Sequence, residues 1–195
     1  DGEYVDKKLL GQNINYDEFL PVDLSRKFDL NKRFDLVLCL EVAEHLPESS
    51  AREFALSLSR HSDQIVFSAA IPGQIGQGHI NEQWLAYWVE IFSELGYSVY
   101  DIFRPKIWDN PKVDWWYRQN MVLFSSKNLE KANLPNTAFS FVHPDNYIYK
   151  VEKMEDFQIK LDSLQKELNM WIYSKQPIQK YWNGLKSSIW KKIKL

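Results

Sequence analysis

Short, nearly uninterrupted apolar runs alternate with amphipathic stretches along the first two-thirds of the chain. Phe34-Asp-Leu-Val-Leu-Cys-Leu40 and Gln64-Ile-Val-Phe-Ser-Ala-Ala-Ile71 are the clearest of these runs. Runs of this kind suit strands buried on both faces of a parallel sheet. Between them, Ala51, Phe54, Ala55 and Leu58 follow the i, i+3, i+4, i+7 spacing, so Ser49 to Arg60 is predicted to be a helix capped by Ser49 or Ser50. A second helix is predicted from about Asn81 to Leu95, with Gly96 as its terminating residue. Glu18 to Asp23, Tyr97 to Phe103 and Gln119 to Phe124 read as further strands.

Strand, helix, strand, helix, strand, strand requires crossover connections and ends in a hairpin, so the class is an open α/β sheet. Phe34–Leu40 and Gln64–Ile71 are expected to be adjacent, parallel and central. The connection Arg104 to Arg118 is long and aromatic for a simple turn, and loops of that length often carry function. After Phe124 the pattern changes. Ser125 to Asn146 is polar and interrupted by proline, and Val151, Met154, Phe157, Leu161, Leu164, Leu168 and Trp171 then recur three and four apart, as on an amphipathic helix or a short coiled-coil seam. From Ser174 onward there are six lysines and no acidic residue, interleaved with Trp182, Leu185, Ile189 and Trp190, and Pro177 and Gly184 are expected to interrupt the helix there. Residues 1–126 thus form one domain, and 127–195 a linker with a helical, basic tail. The tail suits peripheral contact with an anionic membrane surface or self-association through 148–195.

Composition narrows the function. Of 195 residues, 45% are hydrophobic and 26% charged, which is a globular balance. A net charge of −2 provides no global positive field for nucleic acid, so no nucleic-acid partner is expected. Cys39 is the single cysteine, which excludes an internal disulfide and suits a reducing compartment, the cytoplasm. No apolar run approaches a bilayer span, and the N-terminus lacks the apolar core of a signal peptide. The four histidines, His45, His61, His79 and His143, show no metal-ligand spacing, so no metal is expected, and His61 reads as solvated.

The most informative segment is Phe34-Asp-Leu-Val-Leu-Cys-Leu-Glu-Val-Ala-Glu-His-Leu-Pro47, in which a buried strand runs directly into acids and a histidine. Ligands of open parallel sheets bind off the carboxyl ends of the strands, where this cluster lies. The segment resembles the fourth strand and following turn of class I S-adenosylmethionine-dependent methyltransferases, through Phe34, Asp35, Val37, Glu41, Val42, Glu44, His45 and Leu46. The resemblance covers Asp1 to Phe124. It implies a Rossmann-like doubly wound, mostly parallel sheet with a C-terminal antiparallel hairpin. The family's Gly-rich first loop has no counterpart here, so the sheet is expected to be N-terminally incomplete, with a segment upstream of Asp1 and weak cofactor binding without it.

The resemblance further implies cofactor-binding roles for Asp1 on the ribose hydroxyls, Asp23 and Leu24 on the adenine, and Glu41 beside the methionine part of S-adenosylmethionine. Gly78-His-Ile-Asn-Glu-Gln83 resembles the segment that opens the next helix in small-molecule methyltransferases. His79 is therefore a candidate general base and His45 a second candidate; packing or hydrogen bonding at a helix start is the competing role for both. Glu44 reads as a helix-start acid and Asn81 as an N-cap. Trp108, Trp115, Trp116 and Tyr117 are candidates to line a substrate pocket, or cover a sheet edge. The activity implied is methyl transfer to a small-molecule or glycan-type acceptor. The alternatives are a methyltransferase-like assembly module without activity and a nicotinamide-dependent oxidoreductase, for which neither a G-x-G-x-x-G nor a Tyr-x-x-x-Lys pattern is present.

Overall fold

The computed structural model describes residues 14–129 and 140–193. The chain divides into two compact units, Asp1–Asn146 and Tyr147–Leu195. The first holds a four-stranded mixed sheet: β1 (Val37–Leu40), β2 (Gln64–Ser68), β3 (Ser98–Tyr100) and β4 (Val122–Ser125), in the spatial order β1-β2-β4-β3. β1 and β2 are parallel, with Val37 opposite Ile65 and Leu40 opposite Ser68. β4 lies between β2 and β3 and is antiparallel to both.

The adjacent, parallel pairing of the first two strands and the inner position of β2 are as expected; the central position expected of β1 is not observed. β1 is an edge strand among the described residues, and Leu38 on it is 65% exposed. Side chains alternate across a sheet, so Cys39, Ile65, Phe67, Val122 and Phe124 form one face. Against that face pack α1 (Ala51–His61) and α2 (Leu85–Glu94), through Phe54, Leu58, Trp88 and Phe92. The opposite face carries the smaller cluster of Val66, Tyr100 and Leu123, packed by Ile102, Phe103 and Met121.

Several element boundaries differ from expectation for local reasons. Glu18 to Asp23 is not a strand: a 3-10 turn covers Tyr16–Glu18, and Asp23 sits in a turn where it accepts from the backbone N–H and hydroxyl of Ser25. Asn81 does not cap a helix. The amides of Ile80 and Asn81 donate to the Glu44 carbonyl and that of Gln83 to the Ala70 carbonyl, which holds this segment extended until Leu85. The far end is as expected. Gly96 has φ +82, its amide bonds the Ser93 carbonyl and that of Tyr97 bonds the Phe92 carbonyl, the paired bonds of a glycine-terminated helix.

Gln119 and Asn120 end a short helix rather than open a strand. The connection from 104 to 120 contains α3 (Arg104–Ile107) and α4 (Trp115–Asn120). His61 is buried, not solvated: Nε2 accepts from the Leu30 amide at 2.8 Å, Nδ1 bonds the Ser57 carbonyl at 2.6 Å, and the ring stacks on Phe28. The coil from 24 to 34 supplies that cover, and coil carries no periodicity from which it could be foreseen. In the second unit, α5 (Pro144–Ile193) is a single helix that continues through positions 177 and 184. Among the described residues, no helix is long and apolar enough to cross a membrane.

Candidate functional site

The carboxyl end of β1 turns sharply. Glu41 has φ +51, a left-handed conformation that costs a non-glycine residue about 1–3 kcal/mol and tends to cluster where function demands it. Its amide is held by both the carbonyl and the hydroxyl of Ser68 at the end of β2, at 3.0 and 3.1 Å. The Glu41 carboxylate accepts from the Gln74 amide at 3.0 Å and the Asn120 amide at 3.3 Å. Gln74 Oε1 in turn accepts from Asn120 at 2.9 Å and Gln119 at 3.2 Å, and Gln119 Oε1 takes the His143 amide at 2.8 Å and Asn146 Nδ2 at 3.0 Å. A buried chain of amides thus fixes Glu41 relative to the loop after β2, α4 and the segment 143–146. Buried networks rigidify when their members are satisfied.

Sequence reasoning missed Gln74, Gln119 and Asn120. Glutamine and asparagine carry no distinctive spacing. The one available signal was a pair of amides set directly before an apolar run.

Beside this network, a 3-10 turn over Ala43–His45 turns Glu44 inward. Its side chain is completely buried, and neither carboxyl oxygen has a hydrogen-bond partner of normal geometry. Burial pushes the Glu44 carboxyl up to about 8, and the charge of Glu41 pushes in the same direction. The dipole-complementing acid expected at a helix start is therefore an interior group. The Glu44 carbonyl, by accepting from Ile80 and Asn81, docks the loop carrying His79 onto this turn.

His79 and His45 meet there edge to face, ring centroids 4.9 Å apart. His79 Nδ1 is 2.8 Å from Glu82 Oε1, and His79 Nε2 points to Glu44 Oε1 at 4.0 Å. Glu82 also accepts from the amides of Gly73 and Ile75, so it ties the whole 73–79 loop together. Burial alone would raise the Glu82 carboxyl; the bonds from His79, Gly73 and Ile75 outweigh it and hold the group below its ordinary value. His45 Nδ1 is 3.2 Å from the Gly78 carbonyl.

The candidates divide into those brought together and those set apart. Glu41, Glu44, His45 and His79 lie on neighbouring turns. The contacts of His79 are with Glu44, His45 and Glu82, and not with Glu41. Asp23 is exposed in its turn, where hydrogen bonds from Ser25, aided by Arg26, hold its carboxyl below the ordinary range. Leu24 packs against the main core. Asp1 lies outside the described residues. Trp108 lines a cavity of about 230 Å³ with Asp101, Arg104, Pro105 and Phe141. Trp115, Trp116 and Tyr117 pack on one another along α4 and are not part of that lining. Burial raises the Cys39 thiol strongly, so it stays protonated as a core group. Comparison with protein-family models, curated proteins and solved structures yields no match.

Proposed function

We propose that the protein is an S-adenosylmethionine-dependent methyltransferase acting on a small-molecule or glycan-type acceptor, built on a Rossmann-like doubly wound sheet. The observation that carries the reading is the end of β1: the residues resembling the methyltransferase motif form a parallel strand that stops at Glu41, whose strained turn sits at the carboxyl edge where such sheets bind ligands. The antiparallel pairing of β3 with β4 supports it, in keeping with the C-terminal antiparallel hairpin that the resemblance implies. The single buried cysteine is in keeping with a cytoplasmic setting.

In this reading Glu41 faces the methionine part of the cofactor, and the amide chain through Gln74 and Asn120 fixes its carboxylate. Methyl transfer is an in-line displacement, so the protein's main task is to position the nucleophile against the sulfonium carbon. Acidic surroundings favour a cationic donor, which suits Glu41. The experiment is calorimetric titration with S-adenosylmethionine on protein expressed from its complete reading frame, followed by transfer of labelled methyl groups to hydroxylated small molecules and glycans. Glu41→Ala is expected to weaken cofactor binding by about 1–3 kcal/mol, roughly 5- to 150-fold. Absence of cofactor binding, or unchanged affinity in the variant, overturns the reading.

A further inference from the structure

We propose that Glu44, His45 and His79 form a binding site for a divalent transition-metal ion of the zinc type. One ligating atom from each of the three lies within 4.8 Å of the others. In a tetrahedral zinc site with bonds of about 2.0–2.2 Å, neighbouring donors lie roughly 3.3–3.6 Å apart. A contraction of about 1.2–1.5 Å between the farthest donors closes the site, and His45 is the exposed member of the three.

Three features together point to a cation. Glu44 is completely buried with both oxygens unpartnered, an arrangement costly for a carboxyl group unless something outside the present hydrogen-bond set completes it. Both histidines are committed at Nδ1, one to the Glu82 carboxylate and the other to the Gly78 carbonyl. Those acceptors place the ring proton on Nδ1 and leave the Nε2 lone pair available. His79 Nε2 faces the Glu44 carboxyl oxygen across 4.0 Å. Finally, a carboxylate on the remote nitrogen of a ligating histidine is the usual orienting device of metal sites, and Glu82 occupies that position while also gripping the loop.

Imidazole nitrogens with one carboxylate select zinc, cobalt or similar ions over magnesium and calcium, which prefer all-oxygen sets. Three protein donors leave coordination positions for solvent or an oxygen-bearing ligand, as in reactive rather than structural zinc sites. Gly76 belongs to the same design, because a methyl group added there would overlap the His79 ring. The site is independent of methyl transfer and requires no bound S-adenosylmethionine.

The test is titration of chelator-stripped protein with Co²⁺, read by visible absorption, with Zn²⁺ as competitor. One equivalent of Co²⁺ is expected to give a ligand-field band that Zn²⁺ displaces. His45→Ala, at an exposed position where folding is not at stake, and His79→Ala are each expected to weaken binding at least 10-fold, and Glu82→Gln about 10- to 100-fold through the orienting contact. No band, or a band unaltered in the three variants while circular dichroism shows them folded, overturns the site.

A second inference rests on the other unit. The 3-4 spacing on α5 is a strict heptad from Met154 through Phe157, Leu161, Leu164, Leu168 and Trp171, and the same count continues to Trp182 and Leu185. All eight of these side chains are between 49% and 73% exposed. A helix with such a seam gains its stability from a partner helix. We infer that the partner is α5 of a second copy, packed antiparallel. Lys175 falls on the seam. A parallel pair sets it against its own copy and stacks six C-terminal lysines on six; an antiparallel pair brings those lysines beside the half that holds every acid of the helix, from Asp145 to Glu167.

Sedimentation equilibrium is expected to give twice the chain mass, and Leu164→Lys with Leu168→Lys to give a monomer. A cysteine placed at Trp182 should not crosslink to itself. A monomeric wild type overturns the inference, and so does a monomer that pellets with anionic vesicles, which would make the seam a membrane face. Self-crosslinking at position 182 overturns the antiparallel arrangement.

Discussion

Glu44→Gln is expected to stabilise the metal-free protein at pH 8.5, although it alters a completely buried side chain. The fold raises the Glu44 carboxyl from its ordinary 4.5 to about 8, so the native state keeps a proton that the unfolded chain releases between those values. Stability that depends on this proton is fully present below about pH 4.5 and is lost as pH rises through 8. One proton of difference corresponds to roughly 1.4 kcal/mol per pH unit within the window. Glutamine has the shape of the neutral acid, cannot ionise, and retains an N–H to offer the Glu41 carboxylate.

In urea unfolding with chelator present, wild-type stability should therefore fall relative to Glu44→Gln between pH 5.5 and 8.5. The variant is expected to be ahead by about 1–3 kcal/mol at the upper end, discounted from the full window because Glu41 and Glu44 share their charge. Parallel curves for the two proteins would mean that Glu44 is ionised at neutral pH, contrary to its burial. Other titrating groups cancel in the difference, which is why the pair is compared.

The legible part of this protein was what periodicity and local chemistry dictate. The Phe34–Leu40 and Gln64–Ile71 runs read as adjacent parallel strands and Gly96 as a helix end, because each signal lies within a few residues; burial of the first run on both faces did not follow, since β1 lies at the sheet edge with Leu38 exposed. What was not legible depends on pieces distant in sequence. Asn81 looked like an N-cap until the Glu44 carbonyl took its amide from 37 positions away. His61 looked solvated because nothing in its own helix reveals that Leu30 and Phe28 will cover it. The cluster of Glu44, His45 and His79 escaped for the same reason: His45 and His79 lie on different loops, and only the docking of residues 76–81 onto the turn at Glu44 makes them neighbours. The strand read into Glu18 to Asp23 failed differently. Pro21 removes an amide that a strand would use, and the Ser25 turn wins locally.

Phe92→Ala is expected to be the most damaging single truncation in the core. Phe92 has no exposed surface, and its ring stacks on Phe124 of β4 at 4.1 Å, meets Phe67 of β2 edge to face at 5.6 Å, and touches Tyr97 at 6.0 Å. It therefore joins α2 to both inner strands and to the turn that leads into β3. Removing a buried phenylalanine costs about 3–5 kcal/mol through lost transfer energy and the cavity left behind, and the aromatic contacts here place it at the upper end. Collapse cannot recover that loss easily, because Phe67 and Phe124 are fixed by the β2–β4 register, with Phe67 opposite Val122 and Phe124 opposite Ile65. Domains of this size are stable by only about 5–15 kcal/mol, so the variant should unfold at much lower urea concentration than wild type. Ile80→Ala supplies the contrast: Ile80 is 64% exposed, and its truncation should cost under about 0.5 kcal/mol. Equal losses in the two variants would show that α2 does not pack on the sheet through Phe92, and the arrangement of the main core would have to be redrawn around another side chain.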